Sequence, residues 1–333
     1  MSETLPLVSV IMPVLNEERH LSQAAKQILE QEYDGSLELI LAVGPSTDRT
    51  REVADGLASA HSRVRVVDNP TGRTPAGLNA AIGASTGEVI VRVDGHAIIP
   101  TGYVAAAVET LMRTGADNVG GIMGADGITD FEQAVARAMT SRFGVGGASF
   151  HVGGEEGPAL TVYLGCFRRS ALERVGGFDE SMERAQDWEL NLRIRESGGV
   201  VWFTPALRVT YRPRSNVSAL ARQYWDYGRW RREVARRHPQ TISARYLAAP
   251  LTVVGIASGL VLALIGGLLG SGWLIAIGLS APIAYLGANL LASVLTARTP
   301  PPMGLPVAVR LPVVYAVMHL SWGVGFLRGV SRR

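Results

Sequence analysis

The sequence predicts an α/β domain built on a parallel, doubly wound sheet and followed by helices that enter a membrane. Strand-like and helix-like stretches alternate over the first hundred residues, the pattern of a sheet with helices on its faces. From Leu247 onward, long uncharged apolar runs take over. The first strand is Leu7–Met12, broken by Pro13. Polar residues then open a helix, with Asn16 suited to its N-cap and Glu17 and Glu18 to its first turn. A second strand, Leu37–Val43, leads into Gly44-Pro45-Ser46-Thr47-Asp48-Arg49-Thr50. A third, Val64–Val67, is followed by Asn69-Pro70 and Arg73. Small residues from Ala76 to Ile82 predict a helix that runs into a fourth strand.

That fourth strand carries the most information. Glu88-Val89-Ile90-Val91-Arg92-Val93-Asp94-Gly95-His96 is an apolar run that ends in an acid, a glycine and a histidine. In an open α/β sheet, ligands sit at the carboxyl ends of the strands. Gly95 permits a sharp turn or a close ligand approach. Asp94 and His96 can together hold a divalent cation, Mg²⁺ or Mn²⁺, against a diphosphate. The alternative is a strand-ending turn in which Asp94 caps the loop.

Charge is unevenly distributed. The chain has 32 Lys and Arg against 29 Asp and Glu. Residues 212–245 hold nine Arg and two acids, and residues 246–333 hold five Arg and no Asp, Glu or Lys. Residues 1–211 are left with 18 bases and 27 acids. A basic belt directly before an apolar region points to anionic lipids and away from nucleic acid, for which no recognition module is present. The single cysteine, Cys166, excludes an internal disulfide, fits a reducing cytosolic face and reads as a small buried residue. No signal-type segment is read at the start.

Leu247–Leu269 and Trp273–Leu295 are each long enough to span, joined by the uncharged turn Gly270-Ser271-Gly272. Arg298-Thr299-Pro300-Pro301-Pro302 ends the second run. A shorter segment, Leu311–Leu327, carries His319. The Arg-rich side preceding the first span is expected in the cytoplasm. A third crossing would leave Arg328, Arg332 and Arg333 outside, against that tendency; a re-entrant or interfacial segment would not. Both readings stand. The expected organisation is a catalytic domain over 1–211, a basic interfacial segment over 212–246 and a membrane domain over 247–333.

Near the end of the first part, Gly176-Gly177-Phe178-Asp179-Glu180 is a turn. Gln186-Asp187-Trp188-Glu189-Leu190 then starts a helix, with Asp187 near the positive end of its dipole, which favours the ionised form. An N-cap role for Asp187 is the plainer reading, and Glu189 is expected to face solvent or a neighbour.

The order Pro-x-x-Asn-Glu, Ser-Thr-Asp-x-Thr, Leu-Asn, Asp-x-His and Gln-Asp-Trp-Glu-Leu resembles glycosyltransferase family 2 over residues 5–240. It is similar in particular to the membrane-bound glucosyltransferases of bacterial exopolysaccharide assembly of the succinoglycan type. The resemblance implies a GT-A fold with a Rossmann-like mixed sheet, and an inverting transfer from a nucleotide-diphosphate sugar. The sugar would pass to a lipid-linked or growing glycan at the cytoplasmic membrane. It implies Asp187 as general base, although Gln186 stands where the family has Glu. It places Pro13, Asn16, Glu17, Ser46, Asp48, Arg73, Asn79 and Asp94 at the donor, and Asp94 and His96 at the metal. Gly165, Gln186, Trp188, Gln223, Arg229 and Trp230 fall at the acceptor or diphosphate.

Some features depart from the family or stay open. Gly165 is expected to offer backbone contact, and Arg168 and Arg169 are either part of that segment or surface charges. Five residues separate Gln223 from Arg229, so the Gln-x-x-Arg-Trp of processive synthases is not matched; an amphipathic interfacial helix explains the same residues. Val43-Gly44-Pro45-Ser46 lacks the acid that reads the nucleobase in the family, which leaves backbone groups and Asp68, or a base other than uracil; UDP rests on the family alone. Transfer to a polyprenyl phosphate, and a non-catalytic role in a polysaccharide complex, are the competing functions.

Overall fold

A computed structural model of the protein describes residues 5–330. The chain folds as two compact units, one running to Gly124 and resuming at Ala148–Tyr211, the other formed by Ala125–Gly147 and the chain from Arg212.

The first unit opens with β1 (Val8–Val14), α1 (Leu21–Leu29), β2 (Leu37–Val43), α2 (Thr50–Ala60), β3 (Val64–Asp68), α3 (Thr74–Ala84) and β4 (Val89–Arg92). It continues through α4 (Tyr103–Thr114) and β5 (Asn118–Ala125). In the second unit, α5 (Asp130–Met139) and α6 (Arg142–Val145) follow. The chain returns with α7 (Ser149–Val152), β6 (Gly157–Pro158), β7 (Tyr163–Arg168), α8 (Arg169–Val175), α9 (Gln186–Glu196) and β8 (Val201–Tyr211). The strands form one sheet in the order β3-β2-β1-β4-β7-β5-β8-β6.

Half of this sheet is parallel, as the alternation requires: β1 pairs with β2 and β4, and β2 with β3. The doubly wound expectation stops there, because β7 runs antiparallel to both β4 and β5. The mixed sheet implied by the family resemblance is the one observed. The reason lies in the connection: parallel neighbours need a crossover, whereas β7 enters beside β4 from the opposite end. Pro13 sits in a central strand without harm. Its position lies beyond Ile11–Arg92, the last β1–β4 pair, where no further β4 partner needs its missing N–H.

Side-chain alternation divides the core in two. Val8, Val10, Met12 and Val14 point toward α1 and α4, where Leu21, Ile28, Val104 and Leu111 are buried. Ile11, Ile40, Ile90 and Phe167 point to the other face, covered by Leu78 of α3, Leu172 of α8 and Leu190 of α9. Each fully buried aliphatic side chain contributes about 1.5–3 kcal/mol. Cys166 lies in the first of these layers, and burial pushes its thiol up to about 12, so it is an inert core residue.

In the second unit, α10 (Val217–Arg237) is followed by a short 3₁₀ turn, α11 (Ala244–Leu268), α12 (Gly272–Arg298), α13 (Leu305–Ala308) and α14 (Leu311–Arg328). Among the described residues, three segments are long and apolar enough to cross a membrane: Ala244–Leu268, Gly272–Arg298 and Leu305–Arg328, with mean hydropathy 2.3, 1.8 and 1.4. The first two form an antiparallel hairpin with small residues at the seam. A Cβ on Gly259 would lie 2.4 Å from the Gly278 carbonyl, so only glycine allows this approach. Large side chains such as Leu264, Leu268, Trp273 and Ile283 point outward.

The two sheet faces make a stability prediction. Gly121 of β5 has no room for a side chain, since a Cβ there would fall 1.8 Å from the Leu207 carbonyl of β8. Gly56 of α2 faces open space. Gly121→Ala should cost about 1–3 kcal/mol or more through overpacking. Gly56→Ala should gain about 0.5–1 kcal/mol of helix propensity. Thermal unfolding of the purified full chain in detergent checks both; a Gly121→Ala protein melting at or above the wild-type temperature would contradict the packing described.

Candidate active site

The carboxyl ends of β1, β2 and β4 converge on a set of polar loops. At their centre is Arg92, the last residue of β4, buried with 5% of its side chain exposed. Its Nε and Nη2 donate to Asp94 Oδ1 at 3.1 and 2.9 Å, and its Nη1 donates to Asp187 Oδ1. One guanidinium thus holds two carboxylates that are far apart in sequence. Burial alone would lower the Arg92 pKa; Asp187 and Asp94 together raise it above the ordinary arginine value, so it stays charged.

Asp187 lies in the first turn of α9, as its helix-start pattern predicts. Burial pushes its carboxyl above the ordinary range, the Arg92 charge opposes that shift, and Asp94 adds to it. The result is a carboxylate more basic than one in water and fixed by a cation. The helix dipole supplies only the stabilising half of this balance. Ala185, which caps α9, has φ +60°, an unusual backbone for a residue with a Cβ, immediately before the buried Gln186.

Asp94 and His96 leave β4 together. His96 is about half exposed, and its Nδ1 lies 2.7 Å from Glu17 Oε1. A Cβ on Gly95 would meet Val14 at 3.1 Å and Glu17 at 3.2 Å, so the small residue between them keeps this packing. The donor set fits a divalent cation: a carboxylate and an imidazole two residues apart, the imidazole oriented by a second carboxylate, as metal-ligating histidines usually are. Among the described residues, no cluster of three His, Cys, Asp or Glu side chains forms a metal cage. A cation here would draw its remaining ligands from a bound diphosphate and water, the usual habit of Mg²⁺.

The neighbouring loops hold one another. Asn16 is not the N-cap of α1, which begins at Leu21; its φ is +57°. Its Oδ1 accepts from Thr47 N at 2.8 Å, and its own N–H donates to Ser46 Oγ at 3.1 Å. An Asn side chain tolerates the left-handed region and closes local loops, and that chemistry takes precedence over capping. Asp48 accepts from Glu18 N at 3.2 Å and from the Thr50 hydroxyl at 2.5 Å, which chiefly holds its pKa below the ordinary range. Thr50 Oγ1 accepts from Glu17 N at 2.7 Å.

On the other side, Asn79 ties α3 to the turn before α9. Its Nδ2 donates to Phe178 O at 2.9 Å, and its Oδ1 accepts from Phe178 N at 2.9 Å. Arg73 pairs with Glu183 at 3.6 Å in the same turn. Glu189 is buried and chelated by Arg193, whose guanidinium also reaches Gly177 O at 2.8 Å. It faces a neighbour, as one of its two expected settings had it, and is a structural anchor of α9. Gly165 (φ +122°) lies on β7, where a Cβ would sit 2.5 Å from the Phe167 ring. Arg168 and Arg169 are half-buried and donate to main-chain carbonyls of Leu111, Ala116 and Gly87, so neither is a free surface charge. Asp68 pairs with Arg51 at 2.6 Å at the sheet edge.

Gln223, Arg229 and Trp230 belong to the second unit. Gln223 donates to the Tyr227 hydroxyl at 2.8 Å, Arg229 donates to Gly329 O at 3.0 Å, and Trp230 is buried. Trp188 is half-buried in the first turn of α9. Arg92 falls in none of the motifs that the sequence presents. Its signal was present: a lone charge inside an otherwise apolar strand.

Comparison with known proteins bears on this geometry. The family described as Glycosyl transferase family 2 matches residues 9–176. The chain is 32% identical over 326 residues to the succinoglycan biosynthesis protein ExoA of Rhizobium meliloti (strain 1021), covering 96% of this chain and 93% of that protein. It is 26% identical over 231 residues to a dolichyl N-acetyl-alpha-D-glucosaminyl phosphate 3-beta-D-2,3-diacetamido-2,3-dideoxy-beta-D-glucuronosyltransferase of Methanococcus voltae, covering 66% and 71%. Its fold matches that of the mannosyltransferase PcManGT from Pyrobaculum calidifontis, solved with GDP-Man and Mn²⁺. The TM-score is 0.62 at 20% identity, with 98% of this chain and 88% of that one covered.

Removing Arg92 leaves two carboxylates facing each other without a counter-charge. The Asp187 carboxyl, already raised by burial, loses the charge that opposes that rise, so the deficit is full at high pH and shrinks as pH falls through its raised range. Arg92→Met should cost about 3–5 kcal/mol at pH 8, the scale for breaking a buried pair, and distinctly less at pH 5. Thermal unfolding against wild type at both pH values measures this, and an equal loss at each would show that Arg92 acts only by packing.

Proposed function

The chain belongs to glycosyl transferase family 2 and is a glycosyltransferase. On that premise, we propose that it transfers a sugar, with inversion, from a nucleotide-diphosphate donor to a hydroxyl of a lipid-linked or growing cell-envelope glycan. UDP is the proposed nucleotide. The observation that carries the reading is the single guanidinium of Arg92 holding both Asp94 and Asp187.

Asp187 is the proposed general base. A sugar hydroxyl is a poor nucleophile at neutral pH, and its proton must leave as the new bond forms. The acceptor oxygen attacks the anomeric carbon, and its proton passes to the Asp187 carboxylate. The bond from that carbon to the donor phosphate oxygen breaks, and its electron pair leaves with the diphosphate. One displacement inverts the centre. Burial strengthens Asp187 as a base, and Arg92 keeps it ionised and oriented. Gln186, Trp188 and Gly165 are proposed to border the acceptor, and Gln223, Arg229 and Trp230 the acceptor path or diphosphate.

Asp94 and His96 are the proposed ligands of Mg²⁺ or Mn²⁺, with Glu17 orienting the imidazole. When bound, the cation offsets the charge that develops on the leaving diphosphate. The loops carrying Pro13, Asn16, Ser46 and Asp48 shape the donor side through their mutual hydrogen bonds. Arg73 and Asn79 position the turn that delivers α9. The names of the relatives support a glycan-building role, and the second one names a lipid-phosphate-linked sugar. The three long apolar helices and the Arg-rich α10 support a membrane enzyme whose first unit faces the cytosol, next to anionic lipid.

Asp187→Asn keeps shape and removes basicity. Turnover should fall by roughly two to four orders of magnitude, while donor affinity holds; Glu52→Gln, on the exposed face of α2, should match wild type. The same variant separates acceptor classes. A polyprenyl phosphate is already ionised near neutral pH and needs no base, so near-normal turnover of Asp187→Asn would point to that acceptor and against a hydroxyl.

Transfer should stop in excess EDTA and return with Mg²⁺ or Mn²⁺, the nitrogen ligand tilting preference toward Mn²⁺. Full activity in EDTA would contradict the assignment of Asp94 and His96.

A further inference from the structure

By length alone, α14 is a third membrane crossing: its 18 residues extend about 27 Å. Its contacts say otherwise. We infer that α14 does not cross but lies within the half of the membrane next to α10, both its ends on that side, so that the C terminus faces the same compartment as the chain preceding α11. The inference rests on the reading of α11 and α12 as a spanning hairpin.

The first observation is the partner of its C-terminal half. There α14 lies in backbone contact with α10. A Cβ on Gly228 of α10 would fall 2.0 Å from Trp322 O, and one on Gly325 of α14 would fall 2.2 Å from Trp225 O. α10 carries Arg222, Asp226, Arg229, Arg232, Glu233 and Arg236. Such a helix is too costly to place in hydrocarbon. Its guanidinium groups close the end of α14: Arg229 Nε donates to Gly329 O at 3.0 Å, and Arg232 Nη1 to Phe326 O at 3.2 Å. The last turn of α14 is therefore at the water side.

The second observation is the other end. Arg310, immediately before α14, pairs with Asp130 of α5 at 3.3 Å. α5 also receives the end of α12, because Arg137 donates to Pro301 O at 2.7 Å. Asp130, Arg137 and Arg298 mark a polar level, and α14 starts from it. Both ends of α14 thus lie among charged residues.

The third observation is depth. Between Pro312 and Gly323, α14 touches the hairpin at Ala249 and Val253 of α11 and at Tyr285, Asn289 and Thr296 of α12. These lie within the first ten residues of α11 and from the middle of α12 to its C-terminal end, the hairpin ends nearest α10 and α5. The far end of the hairpin packs on itself, with Gly266 against Leu274 and Ile275. A crossing helix would have one terminus there.

His319 fits this path. A histidine in the middle of a lipid-facing span is costly, but here Nδ1 meets the Tyr285 hydroxyl at 3.3 Å and Nε2 meets Phe143 O at 2.8 Å, within protein. The surface that α14 leaves exposed is apolar at Val313, Val324 and Leu327, and Leu305 of α13 and Val309 just after it add to it. Arg298, Arg310 and Arg328 flank it. Apolar residues at acyl depth with arginines at the rim fit the headgroup layer of an anionic bilayer. The arrangement also keeps Arg328 on the Arg-rich side, as the positive-inside tendency asks. Arg332 and Arg333 lie outside the described residues.

The test uses the full chain in right-side-out and inverted vesicles, with a membrane-impermeant maleimide. Ser271→Cys, Met303→Cys and a cysteine appended to the C terminus are labelled separately, the native Cys166 being buried. Met303→Cys and the appended cysteine should react only in inverted vesicles, and Ser271→Cys only in right-side-out ones. Protease protection of a C-terminal tag on the otherwise unaltered chain gives the same reading without substitutions. An appended cysteine or tag reached from the side opposite Met303→Cys, in all or part of the protein, overturns the inference. Ser271→Cys and Met303→Cys labelled from one side would instead overturn the two-span hairpin on which it rests.

Discussion

The candidate site depends on one buried positive charge. Arg92 ends a strand whose other residues are fully apolar, and its side chain has almost no access to water. Burying a guanidinium is costly unless it is paired and hydrogen-bonded. Asp94 and Asp187 supply both, but they come from distant parts of the chain, Arg92 and Asp187 being 95 positions apart. The pairing therefore constrains the fold as much as the site. α9 must deliver Asp187 to β4, and three side-chain networks hold it there. Asn79 clamps the preceding turn, the Glu189–Arg193 pair reaches back to Gly177, and Asn191 accepts from Asn118 at 2.6 Å. None of these residues needs to touch a substrate for its loss to move the base.

The loops around this centre follow a different rule. Asn16, Ser46, Thr47, Asp48 and Thr50 satisfy one another's polar groups, so the β1 and β2 loops are shaped before any ligand arrives. Preorganisation of this kind lowers the cost of binding, because the ordering is complete in the free protein. It also limits what can be read from residue type. Asp48 looks like a ligand-binding acid in a motif, yet its oxygens accept from Thr50 and from the Glu18 N–H.

Much of the fold was legible in the sequence because periodicity and turn chemistry report on local structure. The β-rich run of β1 lies where the pattern places it, although the strand continues to Val14 through the Pro13 expected to break it; the helix start at Asp187 and the two apolar helices of the hairpin lie where expected. The antiparallel half of the sheet was not legible from periodicity, since a strand's direction depends on how the chain enters the sheet and not on its side-chain pattern. The same limit hid the partner of Arg92. A charge in an apolar strand announces that something must neutralise it, but not which acid does. Asn16 shows the converse error, where a residue fit for a cap closes a loop between two strands instead.

The helix pair α10–α14 carries this argument furthest. Hydropathy scores one segment at a time, and by that measure Leu305–Arg328 is a candidate span while α10 is a polar surface helix. What decides their placement is their contact, and that contact is set by glycine. Gly228 and Gly325 remove the side chains that would keep the two backbones apart. Once the backbones touch, the environment of one helix binds the other: a helix rich in arginine cannot follow an apolar partner into hydrocarbon, so the apolar helix must stay where the arginines can reach water. The glycines in these two helices thus carry topological information that neither composition nor length contains.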